Sequence, residues 1–255
     1  MKTTIKENSQ IQPRNPILIE GLPGLGMVGR IATRYLVKQL KAEKFALLYS
    51  PHFPYYVIVN KKGNARLLRG EFHYCRNTKG DDLLLFTGDS QAQTVEGQYE
   101  IAETILDFAK KHHVETLITL GGYRKEADAM PGVIATATDA EMLEKALKAG
   151  ASPSPPGNPI VGTAGLLIGM AKFKGVSALC LLGETRGYLP DPKAAKSILL
   201  VLENILKITV DLGDLDKEIA KSDKILEKMR QIEARREKYA EKMRKGEEGK
   251  TTYIS

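Results

Sequence analysis

Cysteine is scarce in this chain of 255 residues, which has only Cys75 and Cys180, far apart in sequence. Neither belongs to a Cys-x-x-Cys pair, and both lie in apolar, strand-like runs, a setting typical of buried free thiols. The four histidines do not show metal-ligand spacing either. His112 and His113 are adjacent on a predicted helix, about 100° apart, so they do not converge on one ion. We therefore expect no disulfide framework and no bound metal.

Long hydrophobic runs are also missing. No stretch approaches the roughly 20 uninterrupted apolar residues that a membrane-spanning helix needs. Residues 1–12 are polar and lack the apolar core of a secretory signal. The sequence therefore predicts a soluble cytoplasmic protein without a membrane partner.

The charge balance is only mildly basic. Lysine and arginine number 38 against 31 aspartates and glutamates, a formal net charge of +7. Most of these cations are interleaved with glutamates, and no basic stripe alternates with aromatic residues. Because nucleic-acid binding surfaces usually carry such a concentrated basic patch, we expect no specific nucleic-acid binding.

Short apolar runs alternate with amphipathic segments along the first two hundred residues. Residues 17–19, 83–87 and 176–182 are typical of buried strands, and helical periodicity separates them. Residues 55–60 and 65–74, on either side of a Lys-Lys-Gly-Asn turn, indicate a hairpin. The pattern predicts an α/β fold, with a mostly parallel sheet flanked by helices.

The composition changes after Gly213. Residues 214–245 are dense in Glu, Lys and Arg and contain neither Gly nor Pro. We expect an α/β domain over residues 1–212, followed by a charged helix and a flexible tip over residues 213–255. One narrow apolar stripe follows that helix, and it needs a partner because it is too narrow to form a core alone. The stripe consists of Leu215, Ile219, Leu226, Met229, Ile232, Tyr239 and Met243.

A glycine motif, G-x-G-x-x-G, lies at residues 24–29 between a predicted strand and a predicted helix. A dinucleotide site also needs an acidic residue at the end of the second strand, whereas Tyr49 is followed there by Ser-Pro-His. Small residues also permit a tight strand-to-helix turn and close helix packing. We therefore expect no cofactor and interpret five residues as a structural turn: Gly21, Pro23, Gly24, Gly26 and Gly29.

An enzyme is the alternative to a binding protein. The carboxylates Asp89, Glu96, Glu100 and Glu184 lie near predicted strand ends, and the ligand crevice of an open α/β sheet lies at those ends. A phosphorylase- or hydrolase-like site there stays open as the alternative function. Ser90 is not flanked by the G-x-S-x-G pattern of a nucleophile elbow. Since the sequence shows no complete catalytic set, we expect a chain without enzymatic activity and assign no catalytic residue.

Several segments occur in an order and spacing that are characteristic as a set. They are residues 20–29, 83–89, 96–100, 117–123, 162–169, 181–188 and 191–195. Together they resemble the proteasome assembly chaperone family, type two, in its archaeal branch, over about residues 15–220. The resemblance implies a phosphorylase- or hydrolase-like α/β fold without an established catalytic site, and a role in proteasome assembly. It also implies a homo-oligomer, for which a ring is one arrangement. The apolar residues 130–134 and the glycine-rich residues 162–169 are candidate surfaces for self-association or, as the alternative, part of the core.

The resemblance extends to the partner. Family members that engage the proteasome often end in a hydrophobic residue, a tyrosine and any residue, which dock between α subunits. Residues 252–255 read Thr-Tyr-Ile-Ser, so the tyrosine comes one place early. We predict a protein-binding assembly chaperone that acts on proteasome subunits or related assembly proteins. The expected contact residues are Tyr253, Ile254, Met229, Tyr239 and Met243.

Overall fold

The most apolar segments of the sequence become neighbouring strands in the computed structural model of the protein, which describes residues 2–77, 80–125 and 130–248. The strands are β1 (Thr4–Glu7), β2 (Ile17–Gly21), β3 (Glu43–Tyr49), β4 (Val57–Val59), β5 (Ala65–Leu67), β6 (Gly70–Cys75), β7 (Leu83–Gly88), β8 (Thr116–Arg124), β9 (Val133–Ala137), β10 (Ser152–Pro153) and β11 (Ser177–Thr185). The helices are α1 (Val28–Gln39), α2 (Val95–Lys111), α3 (Ala140–Lys148), α4 (Thr163–Ala171), α5 (Pro192–Leu206) and α6 (Gly213–Glu248).

The main sheet has its parallel strands at the centre. Its order is β1-β3-β6-β7-β2-β8-β11-β9-β10. Strands β7, β2, β8 and β11 pair in parallel, whereas β1, β3 and β6 extend one side in antiparallel fashion and β9 runs antiparallel to β11. The predicted α/β class with flanking helices is confirmed. The parallel pairing of the prediction holds for the central strands and for β9 with β10.

Two layers of helices cover this sheet. Helix α1 packs beside α5, and α2 packs beside α4. The main buried cluster joins α2 and α4 to alternate residues of the central strands, such as Leu18, Phe86 and Leu117. Since alternate strand residues point to opposite faces, the sheet is buried on both sides, which explains the nearly continuous apolar runs of its central strands.

The predicted hairpin differs from the observed one. Strands β4 and β5 pair only with each other in a separate two-stranded sheet, and β6 begins at Gly70 and joins the main sheet between β3 and β7. The break falls at Arg69, whose backbone N–H donates to the Asp89 carboxylate at 3.1 Å. This N–H is bonded to a side chain between the end of β5 at Leu67 and the start of β6 at Gly70, where the run of residues 65–74 divides into two strands.

The two segments considered as oligomer surfaces or core are partly buried within the chain. Val133 and Ile134 are buried in β9, and Leu167 and Ile168 are buried in α4. Met130 is half exposed. An apolar sequence run does not by itself separate core from interface, and in both segments buried and exposed residues occur together.

The chain divides into two compact units, Met1–Leu212 and Gly213–Ser255. The second unit contains α6, 36 residues long. Along that helix Ile225, Met229 and Ile232 are 56%, 43% and 53% exposed. Within the described ranges no helix is both long and apolar enough to cross a bilayer.

Four phenylalanines lock β3, β6 and β7 to α2, and Phe72 is the common member. Its ring centroid lies 4.3 Å from Phe86, 4.6 Å from Phe108 and 6.2 Å from Phe45.

We expect Phe72→Ala to lower the free energy of unfolding by about 3–5 kcal/mol, because a fully buried ring leaves a cavity. Phe173→Ala is the control: Phe173 is 88% exposed, so the change is expected to stay within about 0.5 kcal/mol. Equal losses in urea unfolding of the two variants would contradict this assignment of the core.

Candidate functional site

The carboxyl ends of the four parallel strands meet at one edge of the sheet. Loops 22–27, 89–94 and 186–191 leave β2, β7 and β11 there, and loop 157–162 leads into α4. Ligands of open α/β sheets bind at such an edge. This edge therefore holds the candidate site, and the glycine motif lies in its first loop.

Close backbone packing explains two of the glycines. A Cβ atom on Gly29 would lie 2.2 Å from the carbonyl oxygen of Leu120 on β8, and one on Gly21 would lie 2.2 Å from the carbonyl oxygen of Gly29. Real Cβ atoms do not approach oxygen so closely. The contacts hold the first turn of α1 directly against β2 and β8.

The turn itself is tied to the end of β11. Gly26 has a φ of +59°, and a Cβ there would lie 2.7 Å from the Thr185 hydroxyl. The Asp191 backbone N–H donates to the Gly26 carbonyl at 2.8 Å, and the Asp191 carboxylate accepts from the Thr185 hydroxyl at 2.7 Å and caps α5. The Leu25 carbonyl lies against Gly122. The turn thus packs against the ends of β8 and β11.

Pro23 and Gly24 have a different setting. The Pro23 carbonyl accepts a hydrogen bond from the Gln91 side chain at 2.7 Å. Gly24 is exposed and has extended backbone, and a Cβ there would make an ordinary 3.5 Å contact with Gln91. The structural role of this turn therefore has steric support at Gly21, Gly26 and Gly29, and none at Gly24.

A side-chain network links three loops of the crevice. Gln91 accepts from the Thr163 backbone N–H at 3.0 Å and from the Thr163 hydroxyl at 3.2 Å. Gln98 accepts from the same hydroxyl at 2.9 Å and donates to the Ala92 carbonyl at 2.7 Å. These amides hold loops 89–94 and 22–27 to the start of α4. The polar groups at the sheet edge are thereby used within the chain.

One carboxyl lies beneath this edge without a counter-ion. Glu20 is 1% exposed, and its Oε1 accepts from the Leu22 backbone N–H at 3.0 Å. Its Oε2 has no hydrogen-bond partner among the described residues. Burial raises the pKa of Glu20 to about 8, against a smaller lowering by Leu22. Glu20 is therefore mostly protonated near neutral pH. Sequence reasoning missed it because one acidic residue in an apolar strand gives no sign of its depth.

The predicted strand-end carboxylates have separate partners. Burial disfavours ionisation of Asp89, yet hydrogen bonds from the Arg66 guanidinium (2.5 and 3.0 Å) and from Arg69 bring its pKa below the usual range. Lys125 lowers the pKa of Glu184, which also accepts from the Gly132 backbone N–H at 2.9 Å. Glu96 is exposed in the first turn of α2. These bonds fix loops and do not assemble an acid–base pair.

Glu100 belongs to a row of side chains that resembles a hydroxyl, imidazole and carboxylate relay. His52 Nε2 lies 3.2 Å from Glu100 Oε2, and His52 Nδ1 lies 3.2 Å from the Thr94 hydroxyl. The Thr94 oxygen accepts from the Gly97 N–H as the cap of α2. Hydrogen bonds from Thr3 lower the pKa of Glu100 to about 2, with a further contribution from His52. The row ties the N-terminal segment to α2, and no sequence motif reveals it because its members are far apart.

Neither cysteine is activated. Cys180 is buried and burial raises its pKa to about 12, while Cys75 is half-buried and burial also raises its pKa. A thiol that stays protonated is a poor nucleophile and a poor metal ligand. Across the described ranges, no group of three or more His, Cys, Asp or Glu side chains is placed to hold a metal ion.

The predicted partner-binding residues belong to the C-terminal unit. Met229 lies on α6 with 43% of its side chain exposed. Tyr239 and Met243 are part of the same helix, but their side chains fall outside the described part of the structure, as do residues Tyr253 and Ile254 entirely. The crevice belongs to the first compact unit and Met229 to the second, so we treat them as two separate candidates.

Comparison with known proteins gives matches over most of the chain. Residues 18–230 match the model of the PAC2 family. Pyrococcus furiosus PbaB, an archaeal proteasome activator, superimposes with a TM-score of 0.85 and 37% identity over 90% of this chain and 99% of that chain. PbaA of the same organism, an archaeal homologue of proteasome-assembly chaperone, superimposes with a TM-score of 0.75 and 25% identity over 99% and 100% of the two chains. An uncharacterised protein of Methanocaldococcus jannaschii is 34% identical over 91% of this chain and 90% of its own length.

Replacing Gly26 tests the structural turn. We expect Gly26→Ala to destabilise the fold by more than about 2 kcal/mol, since the new Cβ adds a clash with Thr185 to the strain of positive φ. Gly63→Ala is a matched control, because Gly63 also has positive φ (+80°) but nothing lies within 4 Å of its Cβ position. Its loss should be only about 1 kcal/mol in urea unfolding. Equal losses, together with loss of an anion-binding activity in Gly26→Ala, would contradict the structural assignment.

Glu20 makes stability depend on pH. Between its ordinary pKa of 4.5 and the folded value of about 8, the folded chain holds a proton that the unfolded chain releases. The free energy of unfolding therefore falls as pH rises through this window and levels off above it. Glu20→Gln should reduce the fall between pH 5 and pH 8 by an amount on the order of a few kcal/mol.

Glu100→Gln is the control for this pH dependence. Its lowered pKa of about 2 gives stability that is present above pH 4.5 and lost only in acid, so between pH 5 and pH 8 the effect should be flat. Unfolding curves of wild type and Glu20→Gln that run parallel across this range would show that Glu20 is ionised in the fold.

Proposed function

This chain belongs to the PAC2 family, and from that premise we propose that it is a protein-binding chaperone of the proteasome system. It assists proteasome assembly or acts on the assembled particle. The main support for the proposal is the structural similarity to PbaB, a proteasome activator, over 90% of this chain and 99% of that chain. The likeness to PbaA, a homologue of proteasome-assembly chaperone, supports the same system.

The sheet edge supports a role in binding proteins better than a role in catalysis. Asp89 and Glu184, which an enzyme would need free, are bonded to arginine, lysine and backbone groups. Thr163 is hydrogen-bonded to the side-chain amides of Gln91 and Gln98, so these polar groups have partners within the chain. The phosphorylase- or hydrolase-like alternative therefore has less support, and micromolar binding of a nucleoside at this edge would revive it.

We assign partner binding to the C-terminal unit. Ile225, Met229 and Ile232 repeat at four- and three-residue steps on α6 and are about half exposed, within a helix that is rich in charged residues. Tyr239 and Met243 continue the same spacing in sequence. An exposed apolar stripe on a long helix is typical of a surface that another protein covers. Tyr253 and Ile254 complete the proposed contact set.

The proposal includes two further parts. The first is self-association into a homo-oligomer, with a ring as one arrangement, since a chaperone of a multisubunit particle gains affinity from repeated contacts. The second is a cytoplasmic location, which follows from the proposed partner. Light scattering that gives a mass near 28.1 kDa at micromolar concentration would contradict the oligomer.

Truncation tests the assignment of the C-terminal unit. Full-length protein, residues 1–212 and residues 1–250 are each mixed with purified proteasome α subunits and with the assembled core particle, and co-elution is measured. We expect residues 1–212 to keep a cooperative unfolding transition, because the phenylalanine core lies within them, and to lose most of the binding. Residues 1–250 should keep the oligomer and lose only the contribution of the tip. Equal binding by all three would contradict the role of α6, and no binding by full-length protein would contradict the proposed function.

A further inference from the structure

The hairpin of β4 and β5 has an unusual distribution of side chains. Val57 pairs with Leu67 and Val59 pairs with Ala65, and paired residues of antiparallel strands lie on the same face. Val57, Val59 and Leu67 are 50%, 62% and 53% exposed. The outer face of this two-stranded sheet is therefore entirely apolar, although a surface hairpin usually turns its polar side chains outward.

The inner face of the hairpin carries the charge instead. Ile58 pairs with Arg66 on that face. Ile58 packs against the main core, and Arg66 makes two hydrogen bonds to the Asp89 carboxylate. A shift of one residue would exchange the two faces. The ion pair between Arg66 and Asp89 therefore holds the register in which the apolar residues face solvent.

Two tyrosines enlarge the apolar face. Tyr55 is fully exposed and Tyr56 is 58% exposed, both directly before β4. Contiguous exposed apolar residues on a soluble domain mark an interaction surface more often than chance exposure. Tyrosine is also among the residues that contribute most at protein interfaces.

Positive charge from α1 lies next to this face. Arg30 and Arg34 are one turn apart on α1, and Tyr56 and Arg66 are close enough to the Arg30 guanidinium to act on its charge. The Nε atom of Arg30 is buried without a hydrogen-bond partner, and neither arginine has a carboxylate within ion-pair distance among the described residues. Asp89 also acts on the charge of Arg30, and its carboxylate accepts hydrogen bonds from Arg66 and from the Arg69 backbone N–H.

We propose that this surface, formed by Tyr55, Tyr56, Val57, Val59 and Leu67 with Arg30 and Arg34 beside them, docks a protein partner whose apolar contact residues are flanked by carboxylates. It rests on the proposed function and deepens it, because it assigns a partner surface to the α/β unit in addition to α6. The apolar face supplies burial, and the two arginines supply the charge complementarity that selects an acidic partner.

A second copy of this chain fits the surface less well. A two-fold contact places the same patch on both subunits, so it would bring both copies of Arg30 and Arg34 into one interface. Like charges brought together at an interface oppose binding. The partner is therefore a different, acidic surface, which in the proposed function belongs to a proteasome subunit.

Variants of full-length protein test the surface on the Pyrococcus furiosus core particle and its free α subunits. Val57→Thr with Val59→Thr removes apolar contact while keeping β-branched residues in the hairpin. Arg30→Gln with Arg34→Gln removes the charge. We expect each pair of changes to weaken binding about tenfold or more, and the charge variant to lose most of the salt dependence. The matched controls, Val161→Thr (86% exposed) and Lys110→Gln on α2, should bind like wild type.

Folding is checked by the unfolding midpoint of each variant. Arg34→Gln alone replaces the double charge variant if that variant unfolds early, because Arg34 is exposed and has no structural bond among the described contacts. A photo-crosslinker placed at Val59 identifies the contact. A cross-link to an α subunit supports the proposal, whereas a cross-link only to a second copy overturns it.

The remaining outcomes separate the two proposals. If the hairpin and arginine variants bind like wild type while residues 1–212 do not bind, the docking surface is overturned and the proposed function stands. If wild type binds neither probe, the proposed function fails, and the docking surface that rests on it fails too.

Discussion

Helix α1 touches the sheet through backbone atoms, and much of the molecule follows from that contact. Gly21 and Gly29 leave no room for a Cβ between β2, α1 and the carbonyl of Leu120. This close contact fixes the position at which α1 crosses the sheet. It therefore also fixes the position of Arg30 in the first turn of α1. It also presses the preceding turn onto the end of β11, where Asp191 binds Gly26 and caps α5. One steric requirement therefore positions two helices, the crevice and the charged neighbour of the hairpin.

The side chains along the crevice are hydrogen-bonded to one another, whereas a buried carboxyl of β2 has an oxygen without a hydrogen-bond partner among the described residues. Gln91, Gln98 and Thr163 complete one another's hydrogen bonds, and such networks are rigid because every member has a partner. Glu20 below them keeps one oxygen unpaired and reaches low energy only by holding a proton. Because this carboxyl loses its proton as pH rises, stability falls as pH rises. Its hydrogen bond from the Leu22 backbone N–H joins it to the first loop of the crevice. The hydrogen bonds among the crevice side chains therefore stabilise this edge of the sheet.

Local sequence patterns were sufficient to predict the α/β class and its central strands. The buried strands gave apolar runs, and Asp139, Thr94 and Asp191 each precede a helix that their side chains cap. The glycine motif was interpreted as a structural turn because the second strand ends at Tyr49 without an acid. What the patterns could not show depends on distant partners. Strand β1 is polar and forms only by pairing with β3, the division of residues 65–74 depends on Asp89, and the ionisation of Glu20 depends on its depth.

The hairpin of β4 and β5 shows why an exposed apolar surface cannot be identified from sequence periodicity alone. Alternation of apolar and polar residues predicts a strand with its apolar side inward, yet the ion pair of Arg66 with Asp89 reverses the two faces here. The apolar residues on α6 are likewise half exposed within a charged helix. Each surface alone is small, and weak contacts of this kind become effective when they are joined in one chain, since binding at the first raises the effective concentration at the second. A chain with two weakly binding surfaces binds a partner that contacts both surfaces more tightly than a partner that contacts only one. Such a difference in affinity gives selectivity between partners.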